Sequence, residues 1–202
     1  GLYGDMVRDL RDIGMADAHT RIFVSNNDLR GTDAVPLSDE DGDVLSSLSN
    51  LQQKVAIRSI ISNGNLPGNY EMFFTTYSQM QYGPKGAIID RQHALSSLAP
   101  NSVIVLDESH QAGGTDSKKF DPETGEEIPS RADFFRGVLG LAHGAVYSSA
   151  TYAENPTVMS LYFRTDLAMA VENLSDLAPT IRAGGVPLQQ VVANMLVEAG
   201  QR

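Results

Sequence analysis

Apolar residues open the chain at helical spacing. Leu2, Met6, Leu10 and Ile13 recur every three to four positions with charges between them, which predicts an amphipathic helix over 2–13 closed by Gly14. Arg21–Val24 is a short strand candidate. The pattern then lapses through Asn26–Ser47, an acidic, turn-rich run that predicts an exposed loop or mobile insertion. Ser49–Ile61 regains a helical set at Leu51, Val55, Ile57, Ile60 and Ile61 and stops in the NGNLPGN turn cluster. Tyr70–Thr75 reads as a second strand, and Ile88–Leu98 as a helix closed by Pro100. Val103–Leu106 is uninterruptedly apolar and mostly β-branched, which predicts a strand buried on both faces. Gln111–Ser130 has no hydrophobic period and reads as a flexible loop. A helix over Arg131–Ala142 follows, with Phe134, Phe135, Val138, Leu139 and Leu141 as its apolar set. Ala145–Ser148 is a strand candidate, Pro156–Val171 one or two helices, and Gly185–Ala199 a last amphipathic helix.

Strands alternating with helices at this spacing predict an α/β fold with a mainly parallel sheet flanked by helices. With right-handed crossovers, three strand ends would share one sheet edge: TTYSQ at 75–79, DESH at 107–110 and SAT at 149–151. The chain begins almost directly on a helix, where a doubly wound domain normally places a strand first.

Composition narrows the classes. A chain of 202 residues, 42% hydrophobic and 20% charged, is long enough for one domain with a sizeable core. No apolar run approaches the roughly 20 residues that span a bilayer, and GLYGDMVRDL lacks the basic-then-apolar order of a secretory signal. The absence of cysteine excludes disulfides and thiolate metal sites. His19, His93, His110 and His143 are scattered, without metal-ligand spacing. The net charge of −10 argues against the chain alone as a DNA binder, because such binding rests largely on phosphate neutralisation. Local contacts inside a larger basic assembly remain open.

Candidate chemistry concentrates where the Val103–Leu106 strand ends in Asp107, Glu108, Ser109 and His110, followed by Gly113-Gly114. An acidic pair at a strand tip is often only a solvated turn. It is also what a nucleotide-hydrolysing site requires: one carboxylate to hold Mg²⁺ and a second to orient or deprotonate the attacking water. The histidine and the double glycine favour the second reading.

DESH and SAT, about forty positions apart and each after an apolar strand, resemble the Walker B (DExH) and SAT motifs of the first RecA-like motor domain of superfamily 2 helicases. LYGDMVRDLRDIG, FTTYSQM, VLDESHQAGG and YSSATYAENPTVMSLYFRTDL together resemble bacterial and phage members of the strawberry notch group of helicase-like proteins. These segments cover roughly a quarter of the chain and span Leu2 to Leu167.

The resemblance implies a RecA-like, P-loop NTPase fold and ATP-driven movement along nucleic acid, with DNA the expected track and the cytoplasm of a bacterium or phage-infected cell the expected place. It implies that Asp107 holds Mg²⁺ and that Glu108 positions the hydrolytic water. His110 would link the ATP site to Ser149 and Thr151 of the SAT segment, and Asp107, Glu108, Ser149 and Thr151 would border ATP. Thr75, Thr76 and Tyr77 would face nucleic acid; alternatively Thr76 and Tyr77 only cap the following helix. His110 as a satisfied core histidine is the plainer alternative for that residue, and Arg164 is a surface ion-pair candidate that could otherwise reach a phosphate.

The sequence departs from the family in one respect. No GxxxxGK[ST] occurs in it, and Gly83-Pro84-Lys85-Gly86 lacks the spacing and hydroxyl of a phosphate cradle. The expectation is therefore a single partial RecA-like domain over 1–202, incomplete at its N-terminus, with flexible loops at 26–47 and 111–130. Its missing partners would be a P-loop segment and a second RecA-like domain, and alone it should be inactive. The rival is a non-catalytic scaffold or interaction domain derived from a motor core. A third possibility is another Mg²⁺-dependent phosphohydrolase recruiting Asp90 or Asp133, which no metal-like spacing recommends.

Overall fold

The structure, a computed structural model, describes residues 2–25, 37–38, 44–46, 48–113, 119–149, 156–170 and 172–198. The chain divides into two compact units, Gly1–Gln79 with Ile89–Leu98, and Met80–Ile88 with Ala99–Arg202.

The first unit runs α1 (Leu2–Asp12), β1 (Ile22–Val24), β2 (Leu37–Ser38), β3 (Val44–Ser46), α2 (Asn50–Asn63), β4 (Met72–Phe74) and α3 (Asp90–Leu98). α1 stops as its spacing predicts, with Gly14 just beyond it at φ +97°. α2 starts on a capping box: Ser49 Oγ accepts from the Gln52 amide while Gln52 Oε1 accepts from the Ser49 amide, satisfying two donors the helix cannot use internally. It ends at Gly64, whose left-handed φ of 69° lets its N–H reach the Ile60 carbonyl.

β1 and β4 pair in parallel with Ile22 opposite Met72, Phe23 opposite Phe73 and Val24 opposite Phe74. Alternation splits these residues between two cores. Ile22 and Val24, with Met72 and Phe74, pack with Tyr3 and Val7 of α1; Phe23 and Phe73 pack with Ile57 and Ile60 of α2 and Ala94 and Leu98 of α3. β1 is consequently buried along its whole length. The ring of Phe23 lies 5.5 Å from that of Phe73 and 5.6 Å from that of Tyr70. Burying a phenylalanine this completely stabilises the fold by about 1.5–3 kcal/mol. In the stretch expected to be a loop, β2 and β3 form a short antiparallel pair; the rest of 26–47 lies outside the described residues.

The second unit contains β5 (Val103–Leu106), β6 (Lys119–Phe120), β7 (Glu127–Ile128), α4 (Arg131–Leu141), β8 (Gly144–Tyr147), α5 (Pro156–Met159), α6 (Leu167–Ala170) and α7 (Leu174–Glu198). β5 and β8 are parallel, with Val103 opposite Gly144 and Leu106 opposite Tyr147. The expected burial of β5 on both faces is corrected: Ile104 and Leu106 are buried, whereas Val103 is 57% and Val105 63% exposed. A continuous apolar run does not reveal how many faces are covered, and among the described residues only one face of this pair is.

Within 111–130, β6 and β7 form a small antiparallel pair, and 114–118 lie outside the described residues. α4 begins on a second capping box, Ser130 with Asp133. Burial works against the Asp133 charge, but hydrogen bonds from Ser130 and the Arg136 guanidinium hold its carboxyl below the ordinary value. Instead of the expected surface ion pair, the bonds given by Arg164 go to backbone: it donates to the carbonyls of Leu139, Ala142 and His143 and so closes the C-terminal end of α4. The last helix begins earlier than its hydrophobic period suggests. It runs from Leu174, carries Pro179 and Pro187, and breaks at Gly185 (φ 59°, ψ −160°), the residue from which the sequence pattern became readable.

The fold is thus mixed α/β with short parallel strand pairs. Among the described residues no helix is long and apolar enough to cross a membrane.

Candidate functional site

The tip of the β5–β8 pair brings two of the predicted segments together. The ladder continues past the last paired residues, with the Ser148 amide donating to the Leu106 carbonyl at 2.9 Å and the Ser109 amide to the Ser148 carbonyl at 2.8 Å. This holds the DESH turn against the residues that precede Ala150.

Glu108 sits between these bonds at φ 47°, in the left-handed region that residues with a Cβ avoid. Such a conformation costs about 1–3 kcal/mol and persists only where the surroundings impose it. Here the Ser109 amide is tied to Ser148 and the Gln111 amide donates back to the Glu108 carbonyl at 2.8 Å. Asp107 and Glu108 are both exposed at the tip, and the Glu108 amide donates to Asp107 Oδ1 at 3.1 Å.

His110 is half-buried, and its Nδ1 lies 3.0 Å from Ser149 Oγ and 3.3 Å from Glu108 Oε2. The hydrogen bond is the one to Ser149 Oγ, while Glu108 Oε2 lies at ion-pair distance from the same nitrogen. Both partners meet the same ring nitrogen. A serine–histidine–acid relay needs them on opposite nitrogens, so the trio is not arranged for nucleophilic attack by Ser149. His110 and Ser149 are thus in hydrogen-bond contact; Thr151 lies outside the described residues.

Beneath the exposed carboxylates the turn is anchored in the core. Ser109 is fully buried, and its hydroxyl meets Tyr162 Oη at 2.6 Å. The Tyr162 ring leans on Tyr147 with centroids 4.8 Å apart, and Tyr147 Oη donates to the Leu161 carbonyl at 2.7 Å. Burial pushes the Tyr147 hydroxyl up to about 12; Arg164 opposes this and Tyr162 adds to it. A Cβ at Gly113 would come within 2.6 Å of Val158 Cγ2, so the turn leaves the site through a gap that fits glycine. Arg131 fastens the same turn by donating to the Gln111 and Ala112 carbonyls.

At the other parallel pair, the polar residues satisfy one another. The Ser25 amide extends the ladder to the Phe74 carbonyl. Ser25 Oγ and Thr75 Oγ1 both donate to Gln79 Oε1, at 2.6 and 3.0 Å, and Arg91 Nε donates to Ser25 Oγ at 3.0 Å. Burial pushes the Arg91 guanidinium below its ordinary value, with Asp90 opposing. Thr76 Oγ1 pairs with Ser78 Oγ at 2.9 Å, and the Thr76 carbonyl receives the Gln79 amide as Tyr77–Met80 turns into a single 3₁₀ helix. Thr75, Thr76 and Tyr77 are all half-buried.

The alternative ligands have other work. Lys85, in the glycine-lysine cluster, is left-handed at φ 55° and ion-paired with Glu123 at 2.6 Å. Asp133 belongs to the α4 capping box. Among the described residues no group of three or more His, Asp or Glu side chains could hold a metal.

Sequence reasoning missed Ser25, Gln79, Arg91, Tyr147 and Tyr162. Gln79 stood inside the quoted TTYSQ segment, and Ser109 inside DESH, but nothing in the pattern announced their partners. Comparison with protein-family models, with curated proteins and with solved structures finds no match.

Proposed function

We propose that the β5 tip is half of an ATPase site in a RecA-like motor domain of a DExH-type helicase or translocase of the strawberry notch group, acting on DNA. The observation that carries this reading is Glu108, an exposed carboxylate in a left-handed conformation at a parallel strand tip, beside a histidine that reaches the neighbouring strand's Ser149. Strained non-glycine residues cluster at functional sites. Ligands of open α/β sheets bind outside the carboxyl ends of the strands.

In this reading Asp107 would hold Mg²⁺ that arrives with nucleotide phosphates, and the metal would neutralise charge on those phosphates. Glu108 orients the attacking water and accepts its proton. His110 fixes the Glu108 carboxylate and connects it to the segment after β8, where Ser149 and Thr151 would sense the nucleotide. Thr75, Thr76 and Tyr77 would meet the DNA backbone; the hydroxyl hydrogen bonds of Thr75 and Thr76 within the turn favour backbone or water-mediated contact over direct base reading. Turnover requires a phosphate-binding segment that the GxxxxGK[ST]-free sequence does not contain.

That absence favours one second reading, a non-catalytic scaffold derived from a motor core. The two separate on the Glu108→Gln variant of the intact protein. The motor reading expects ATP turnover to fall at least about a hundredfold, the usual contribution of a general base, with nucleotide still bound. Undiminished turnover removes Glu108 from catalysis, and an intact protein that never turns over ATP supports the scaffold.

A further inference from the structure

We infer that Tyr162 is the positioning residue that sets the geometry of the Glu108–His110 pair, acting through the buried hydroxyl of Ser109. The inference takes its meaning from the ATPase reading, because the group it positions is the proposed water-orienting carboxylate.

Ser109 lies between Glu108 and His110, so its placement fixes the backbone on both sides of the pair. Two bonds hold it: its amide to the Ser148 carbonyl, and its hydroxyl to Tyr162 Oη. The first belongs to the strand ladder and would exist with any residue at the position. The second is specific, requiring a hydroxyl at 109 and a phenol at 162. Both side chains are buried, Ser109 at 0% and Tyr162 at 5% exposure, so water cannot substitute for either partner. Tyr162 is in turn held from behind by the Tyr147 ring, whose own strand, β8, leads directly to Ser148 and Ser149. Its 3₁₀ turn, Ser160–Arg164, ends in the arginine that caps α4. The hydroxyl pair therefore couples the acidic turn to the turn at 160–164, beside the Arg131 bonds that hold the Gln111 and Ala112 carbonyls.

A tyrosine placed this way differs from a core aromatic that merely fills space. Its ring supports the fold, while its oxygen reaches the site. The two roles separate in Tyr162→Phe, which keeps the ring and removes the oxygen.

The test reads the full chain by NMR, following the His110 ring signals (assigned by their loss in His110→Gln) and hydrogen exchange at the Ser109 amide. Tyr162→Phe is expected to shift the His110 signals and to speed Ser109 exchange at least about tenfold, with near-ultraviolet circular dichroism still native. Ser109→Ala should give the same His110 shift, and the double variant no more than either single one, because all three lose one bond. Tyr147→Phe loses a hydrogen bond to Leu161 in the same aromatic pair and should leave His110 unmoved, which separates positioning from general loosening. Unshifted His110 signals in folded Tyr162→Phe overturn the inference, as do additive shifts in the double variant or an equal shift in Tyr147→Phe. If Tyr162→Phe fails to fold, Ser109→Ala against Tyr147→Phe decides alone. None of these readouts involves ATP, so their failure leaves the ATPase reading standing, and loss of that reading leaves the bond network measurable.

Discussion

The two parallel strand pairs share a pattern and differ in what surrounds them. β1–β4 is covered on both faces, by α1 on one and by α2 and α3 on the other, and its tip residues Ser25, Thr75, Gln79 and Arg91 hydrogen-bond one another. β5–β8 buries Ile104 and Leu106 but leaves Val103, Val105 and Val146 substantially exposed, and its tip presents carboxylates together with a strained Glu108. The lesson is that polar residues at a strand end gain functional weight when the structure spends stability to display them. At the first pair the polar tip residues hydrogen-bond one another; at the second the buried anchor, Ser109 with Tyr162, holds an exposed acidic turn in place.

The largest expected effect tests the asymmetry of burial. Phe23→Ala should cost about 3–5 kcal/mol in urea unfolding, while Val105→Ala on the bare face of β5 should stay within about 0.5 kcal/mol. Similar losses at the two sites would break the comparison. Next comes the strain. Glu108→Gly should raise stability by about 1 kcal/mol, because glycine adopts the left-handed conformation without the penalty that a Cβ imposes. A loss of stability there would mean that the Glu108 contacts outweigh the strain.

The smallest effect treats the two regions alike. Burial pushes Tyr3 beside β4 and Tyr147 on β8 each up to about 12 from an ordinary value of 10.0. The folded state holds those protons more tightly than the unfolded chain does. Their contribution is therefore complete below pH 10 and is lost as the pH rises from 10 toward 12. Tyrosinate absorbance followed alongside unfolding should show late ionisation of both residues, and Tyr147→Phe should remove only one share of the alkaline loss.

Much of this was legible in the chain. The helical period marks α1, α2 and α4, and the acidic strand tip and its histidine stand out in the sequence itself. The pairing of His110 with Ser149 is implied only by the motif resemblance of DESH and SAT, not by the spacing of the residues. What stayed hidden was of two kinds. Val103–Leu106 has the same letters whether one face or both are covered, since coverage depends on distant segments. Tyr162 joins Ser109 across 53 positions, a pairing that no local spacing encodes. The early start of α7 is hard to read because proline and glycine are poor helix formers, yet among Pro179, Gly184 and Gly185 the backbone leaves helical geometry only at Gly185.

ATP turnover by the intact protein carrying Glu108→Gln, measured with and without DNA, tests most directly the proposal that the acidic tip orients the attacking water. The predicted result is turnover reduced at least about a hundredfold under both conditions, with nucleotide binding retained. Turnover equal to that of the unsubstituted protein would contradict it.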